Sequence, residues 1–282
     1  MTKILVTGGT GFIGQNLLMD LKRKYEVEAP RREDLNLKDE EAVSRYLEKE
    51  RFDVVIHGAG PVRNKVDSST NVLEESLRLF MNFYRNRSLY GKLIYFGSGA
   101  EYDKRRDLEY VTEENIGVHI PEDEYGLAKY IINTLASQSE NIYNLRLFAC
   151  FGPYEHETRF ITHGIGCCLL EEPITMRQDC LFDYMYISDL IKVVNWFINN
   201  DPKYHDYNVC RGIGINLSEI ANFINDKMAG KGIRCEISGK SKAYTGSNQR
   251  LLRELKGFKW MDLQEGIERQ IMWQRGRKDE AF

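Results

Sequence analysis

Residues 4–14 read ILVTGGTGFIG: a short apolar run stops on glycines and then resumes as an apolar stretch compatible with a helix. No other segment constrains the fold as tightly. Gly8, Gly11 and Gly14 fall three residues apart. In a strand–turn–helix unit such glycines make the tight turn, let backbone approach a pyrophosphate, and let the helix pack closely on the strand. The helix N-terminus then offers N–H donors to the phosphates. Spacing and context together predict a dinucleotide-binding turn, with Phe12 and Ile13 opening the helix inside the motif. A purely structural turn is the alternative.

The first two-thirds of the chain repeats this alternation. Strands are expected at 4–6, 27–29, 35–37, 53–57, 93–96 and 144–149. Helices are expected at 11–23, 39–49, 72–85 and from Tyr125 onward. Such alternation implies βαβ units and an α/β fold whose parallel sheet is covered by helices on both faces. Beyond about Gly152 the pattern turns irregular. One more strand is expected at 207–209, with helices at 218–227, N-capped by Ser218, and at 263–275.

Composition narrows the class. The 282 residues are 42% hydrophobic and 29% charged, enough for a soluble core and too ordered a mixture for a disordered chain. A net charge of −3 argues against nucleic acid or a membrane surface as partner. No apolar run approaches the roughly 20 residues of a bilayer span, and the N-terminus does not read as a signal peptide. Cys150, Cys167, Cys168, Cys180, Cys210 and Cys235 show no C-x-x-C pairing and no zinc spacing with histidine. A metal-free cytoplasmic protein with reduced thiols is expected.

Two further groups carry chemistry. After Ala29-Pro30 come Arg31 and Arg32, where an NAD-binding chain usually places a carboxylate. Adjacent guanidiniums suit the 2′-phosphate of NADP, so NADP is favoured with NAD possible; a solvated RRED cluster is the other reading. In DEYGLAKY (123–130), Tyr125 and Lys129 stand one helical turn apart. An ammonium beside a phenol stabilises the phenolate, so this tyrosine can exchange a proton with a carbinol or carbonyl oxygen near neutral pH. Ser98, delivered by the strand LIYF, can hydrogen-bond the same oxygen.

The order of these pieces resembles the extended short-chain dehydrogenase/reductases, the NAD(P)-dependent sugar epimerase/dehydratase family. The likeness runs through TGGTGFIG, HGAG (57–60), FGSGAEYD (96–103), YGLAK (125–129), NLRLFACFGP (144–153), FDYMYISDL (182–190) and LLRELKGFKW (251–260). It implies a Rossmann-type dinucleotide-binding domain over 1–158, with 185–211 returning to it. A smaller C-terminal substrate-binding subdomain would comprise 159–184 and 212–282. It also implies a catalytic Ser98, Tyr125 and Lys129, with Gly58 and Ala59 beside the cofactor. RREDLNLKDEEAV (31–43) is most similar to the 4-keto sugar-nucleotide reductases, such as GDP-fucose synthase; dTDP-4-dehydrorhamnose reductase shares the shortened second crossover. By that likeness Arg32 meets the 2′-phosphate, and Asn36 and Leu37 flank the adenine. A homodimer through the helices at 72–85 and 125–137 is implied as well.

The chain departs from its relatives in places. The Asp-Glu pair of the 4,6-dehydratases is replaced by Gly99 and Ala100, with Glu101 one place late on a segment expected to be extended. The family's phosphate-holding Asn and Arg align with Ala149 and Phe182. Arg159 and Arg211 are the candidate replacements among the later basic residues, surface charge being the alternative for each. His156 and His163 read as surface or packing residues. The expected function is reduction of a 4-keto sugar, nucleotide-linked, by NADPH. A C4 epimerase with retained NAD is the runner-up, and a redox-sensing NADP-binding protein a third possibility.

Overall fold

The computed structural model describes residues 1–61 and 71–279. In chain order it forms β1 (Lys3–Thr7), α1 (Phe12–Leu21), β2 (Glu26–Glu28), α2 (Glu40–Glu50), β3 (Val54–His57), α3 (Val72–Arg85), β4 (Lys92–Ser98), β5 (Leu108–Val111) and α4 (Glu124–Ser137). It continues through β6 (Ile142–Leu147), β7 (Ala149–Phe151), α5 (Phe160–Leu169), β8 (Ile174–Asp179), β9 (Leu181–Phe182), β10 (Tyr184–Tyr186), α6 (Ile187–Asn199) and β11 (Asp206–Val209). The remainder is β12 (Ile215–Asn216), α7 (Leu217–Met228), β13 (Ile233–Lys240), β14 (Tyr244–Gly246), α8 (Gln249–Glu254) and α9 (Leu263–Asp279).

One unit comprises Met1–Lys104, Glu113–Leu147 and Val194–Asn208. Its six-stranded sheet has the order β11-β6-β4-β3-β1-β2. The pairings of β1 with β2 and β3, and of β4 with β3 and β6, are all parallel. Parallel strands are buried on both faces, which is why they are continuous apolar runs rather than alternating ones. Leu5, Val55, Leu93, Tyr95 and Ile142 pack with Val43 and Leu47 of α2, Phe80 and Phe83 of α3, and Ile132 and Ala136 of α4. The first crossover runs to β2 and the next returns past β1 to β3, so right-handed connections put α1 on the opposite face. The crevice where strand order reverses therefore opens beyond the carboxyl ends of β1 and β3, the position at which such sheets take ligands.

The expected strand at 35–37 is absent. Leu35 is buried in the core cluster, and Asn82 of α3 donates to the Leu37 carbonyl (2.8 Å), so this segment is an anchored loop into α2. The run at 144–149 is broken: β6 ends at Leu147, and β7 pairs instead with β10.

The second unit comprises Arg105–Thr112, Phe148–Val193 and the chain from Val209 onward. It holds a four-stranded sheet, β12-β9-β14-β5, and two strand pairs, β7 with β10 and β8 with β13. Ile161 and Ile165 of α5, Ile174 of β8, and Ile220 and Ile224 of α7 are all buried. Ser218 does not cap α7. Asn216 is the N-cap residue, while the Ser218 N–H and hydroxyl both donate to Asp179 (3.0 and 2.7 Å). All six cysteines are free. Among the described residues no helix is long and apolar enough to cross a membrane.

Two positions yield stability predictions. A Cβ on Gly97 of β4 would lie 2.2 Å from Asn144 Oδ1 and 2.3 Å from Glu101 Oε1. Both groups are buried and hydrogen-bonded to each other, so neither can swing aside. Gly97→Ala is expected to cost about 1–3 kcal/mol, read as a lowered urea midpoint; an unchanged midpoint would show that the pair yields. In the second unit, Glu155 is buried and accepts the Thr162 hydroxyl (2.5 Å), with Arg159 Nε at 3.6 Å. Burial pushes its carboxyl up from 4.5 to about 7. A raised folded pKa adds stability below the unfolded value, and that stability is lost as pH rises through the folded one. Wild-type melting temperature is therefore expected to fall between pH 4.5 and 7 more steeply than that of Glu155→Gln; parallel profiles would refute the assignment.

Candidate active site

The glycine turn links β1 to α1 by contacts that leave no room for side chains. Gly8 has a φ of +72°, and a Cβ on it would lie 2.7 Å from the Gly58 backbone, beyond the end of β3. A Cβ on Gly14 would lie 2.2 Å from the Gly8 carbonyl oxygen. Thr7 Oγ1 lies 2.8 Å from His57 Nδ1 and accepts the Ala59 N–H (3.3 Å), holding the two turns together. Burial drives His57 down to about 3, so its ring is neutral. Gly11, the N-cap of α1, supplies no capping side chain, and the first turn carries no acidic residue. The N–H groups of Phe12, Ile13 and Gly14 begin a helix and so have no acceptor within it. A dinucleotide's diphosphate would satisfy that bare, positive helix end at the reversal point of the sheet. The residues present fit the group.

Arg31 and Arg32 lie just beyond β2, and both are exposed. Arg31 has Glu33 at 3.8 Å, and its N–H donates to Asp34 (3.1 Å). Asn36 is exposed and accepts the Lys38 N–H (3.2 Å); Leu37 is half-buried. The carboxylate that ends β2, Glu28, is already occupied, with Lys3 at 2.9 Å and the Tyr46 hydroxyl donating at 2.5 Å. It is therefore not presented as an acceptor for a ribose.

Ser98 ends β4 nearly buried, and the chain then folds into a single 3-10 turn, Gly99–Tyr102. The Ser98 hydroxyl accepts the Ala100 N–H (3.2 Å), which leaves its own proton to donate. The turn corrects the expected extended geometry. Glu101 curls back beneath Ser98, is wholly buried, and accepts the Ser98 N–H at 2.9 Å.

Asp123 caps α4 by accepting the Gly126 N–H (3.0 Å). A Cβ on Gly126 would lie 2.8 Å from the Ala100 carbonyl oxygen, so this glycine lets the helix start pack against the turn that follows Ser98. Lys129 donates to the Tyr95 hydroxyl (2.7 Å) and to the Phe96 carbonyl (2.6 Å). Its Nζ lies 5.7 Å from the centre of the Tyr125 ring. Burial pushes the ammonium down to about 8, opposed by the charge of Glu101. Lys104 lies on the same ring, its Nζ 5.9 Å from the centre and 3.6 Å from Asp123. Tyr125 thus has two cations near its ring, and the Lys129 ammonium has one N–H left after Tyr95 and Phe96 are served.

Tyr95 and Lys104 escaped the sequence reading. Tyr95 stands two residues after Leu93 on the α4-facing side of β4, so strand alternation marks its position but not its tie to Lys129. Nothing in the sequence marks Lys104.

The remaining candidates lie in the second unit. Arg159 is the N-cap of α5, its side chain half-exposed beside Glu155. The Arg211 N–H donates to Asp183 (2.9 Å), while its Nε is buried with no hydrogen-bond partner among the described residues. Burial raises Asp183 to about 6. His156 is held by Thr158 (3.0 Å) and His163 by Thr175 (2.8 Å), local contacts in keeping with packing roles. Phe182 stacks on Tyr184, with ring centres 5.4 Å apart, and Ala149 is buried.

Known proteins bear on this arrangement. A GDP-L-colitose synthase of Yersinia pseudotuberculosis is 26% identical over 299 residues, spanning 94% of this chain and 95% of that protein. The structure of a GDP-L-fucose synthetase from Naegleria fowleri bound to NADP superposes with a TM-score of 0.85 at 19% identity, covering 99% of this chain and 94% of that one. A GDP-mannoheptose C4 reductase from Campylobacter jejuni, with NADP bound, gives 0.82 at 18% identity, covering 97% and 98%. Both structures share the fold. Residues 4–210 match the model of the NAD dependent epimerase/dehydratase family. The chain belongs to that family and is an NAD(P)-dependent oxidoreductase of its sugar-nucleotide-modifying class.

Proposed function

We propose that this chain reduces the carbonyl of a 4-keto sugar carried on a nucleotide, with NADPH as reductant. The observation that carries the proposal is the conjunction of Ser98, Tyr125 and Lys129 beside a glycine turn fit for a dinucleotide. Gly58, against which Gly8 packs, would itself bring a Cβ to 3.5 Å from the Phe96 ring, so turn and triad share one edge of the sheet. A GDP-linked substrate is in keeping with the names of relatives, including a GDP-6-deoxy-D-talose 4-dehydrogenase of Aggregatibacter actinomycetemcomitans at 25% identity.

Gly8, Gly11, Phe12, Ile13, Gly14, Gly58 and Ala59 would hold the diphosphate. Arg31 and Arg32 would meet the 2′-phosphate, and Asn36 and Leu37 would flank the adenine. When bound, the reduced dinucleotide supplies a hydride to the carbonyl carbon. The chain's own residues do the rest. Lys129 holds Tyr125 ready to ionise, the Tyr125 hydroxyl gives its proton to the carbonyl oxygen, and Ser98 donates a second hydrogen bond to that oxygen. Arg159 and Arg211 are the proposed holders of the substrate's phosphates. Gly99 and Ala100 bring no acid or base to the turn, which favours reduction over loss of water. A panel of keto-sugar nucleotides with NADPH and NADH, followed at the nicotinamide absorbance band, tests the proposal. Failure to oxidise either cofactor with any 4-keto sugar nucleotide would overturn it, and tightly retained NAD would favour the C4 epimerase.

Tyr125→Phe is expected to lower turnover by about 10²–10⁴ while NADPH binding stays within twofold, since the hydroxyl moves a proton and does not dock the cofactor. Most of the activity surviving in that variant would remove Tyr125 from the mechanism. Arg32→Asp is expected to weaken NADPH binding by about 10- to 100-fold and leave NADH binding nearly unchanged. Equal wild-type affinity for the two cofactors would refute the role given to Arg32.

A further inference from the structure

Beneath Ser98 lies a set of buried charges that the proposed chemistry leaves unused. The Arg146 guanidinium, on β6, is wholly buried. Its Nε donates to Glu101 Oε2 (2.7 Å). Nη1 donates to the Tyr102 hydroxyl (3.1 Å) and Asn208 Oδ1 (3.0 Å), and Nη2 to Asn133 Oδ1 (3.0 Å) and Asp206 Oδ2 (3.0 Å). The other Glu101 oxygen takes the Ser98 N–H (2.9 Å). Asn144 Nδ2 joins the two sides, donating to Glu101 Oε2 (3.1 Å) and Asn133 Oδ1 (2.7 Å).

The position of Asn133 gives this cluster its meaning. Asn133 is one helical turn beyond Lys129 and two beyond Tyr125, on the same face of α4. A single guanidinium therefore ties the turn that carries Ser98 to the helix that carries the other two residues. A buried ion pair is weak as a source of stability, and well-packed apolar side chains of equal volume would serve the core as well. A planar fork with every donor engaged fixes distances and angles that an apolar contact would leave loose.

We propose that Arg146 and Glu101 are positioning residues of the reaction, holding the Ser98 hydroxyl in register with Tyr125 and Lys129. The proposal rests on the triad assignment above. Glu101 also acts on Lys129 through its charge. Tyr95 on β4, neutral His57 on β3 and Tyr125 on the lysine's own helix face the ammonium as well, and Glu101 is the group that raises it against burial.

The test uses full-length Glu101→Gln, Arg146→Lys, Asn133→Ala, Ser98→Ala and Tyr125→Phe, with NADPH and the 4-keto sugar nucleotide that the wild type reduces best. Glu101→Gln keeps the size of the side chain and an acceptor for the Ser98 N–H, and loses the charge facing Arg146. Its kcat is expected to fall about 10- to 100-fold, with KM for NADPH within twofold of wild type. The alkaline limb of its kcat profile should move to lower pH, because Lys129 sheds its proton earlier. Measured on the pH plateau below that limb and combined with Ser98→Ala, it should be no worse than Ser98→Ala alone, which a loss of general stability would not produce. Asn133→Ala removes only a neutral amide and should behave alike if the charge variants fail to fold. A crystal structure of Glu101→Gln, or of Asn133→Ala, reads the same point without substrate, by Ser98 Oγ leaving the Ala100 N–H. An unmoved Ser98, wild-type kcat in the folded variants, or additive losses with Ser98→Ala would overturn the proposal. Wild-type turnover in Ser98→Ala and Tyr125→Phe would instead overturn the triad assignment beneath it.

Discussion

The approach of one bare backbone to another governs the ligand-binding edge of this protein. Gly8 lies against Gly58, and Gly14 against Gly8, at distances that forbid a Cβ on Gly8 or on Gly14. That closeness does two things at once. It docks α1 so tightly on the β1 turn that the first helical N–H groups face the crevice at the sheet's reversal point. It also draws the end of β3 level with the end of β1, which sets the height of β4 and hence of Ser98. The phosphate site and triad proposed above thus depend on one packing constraint.

The electrostatics of the site follow from what this edge excludes. Lys129 is desolvated by the sheet and the aromatic Tyr95, so its ammonium is only loosely held, down to about 8. A cation of that kind is poorly screened and acts strongly on Tyr125 nearby. The charge of Glu101 opposes that loss at Lys129, and the Arg146 guanidinium pairs with the Glu101 carboxylate at 2.7 Å. Asn208 and Asp206, from β11, complete the guanidinium's shell, so the far strand of the sheet takes part in fixing a hydroxyl two strands away.

Much of this was legible in the sequence, because parallel strands buried on both faces leave continuous apolar runs that glycines terminate. The helix over 72–85, the turn at 8–14 and the one-turn spacing of Tyr125 and Lys129 all follow from local patterns. What escaped depends on contacts distant in the chain. Leu35 and Leu37 alternate like a strand, but β2 is only three residues long and no neighbour continues the sheet beyond it, so the segment is pinned to α2 and α3 instead. Ser218 has the chemistry of an N-cap, yet Asp179, 39 residues earlier, accepts its hydroxyl and N–H. Glu101 reads as a carboxylate one place late on an extended segment until the 3-10 turn and Arg146, 45 residues on, claim it.

That last case also bears on the chemistry proposed for this edge. An acid or base that acts on carbon must exchange its proton with substrate and so must be exposed to it. The one carboxylate in the turn after Ser98 is wholly buried, faces a permanently charged guanidinium, and has both oxygens engaged. Gly97 is locked as glycine by that same carboxylate, and Gly126 is locked by the carbonyl of Ala100. Small residues around Ser98 are therefore demanded from below by packing as much as they leave space above. A side chain could not be added at Gly97 without dismantling the Glu101–Asn144 contact, so among the described residues the proposed chemistry at this turn falls to the hydroxyls of Ser98 and Tyr125 and the ammonium of Lys129.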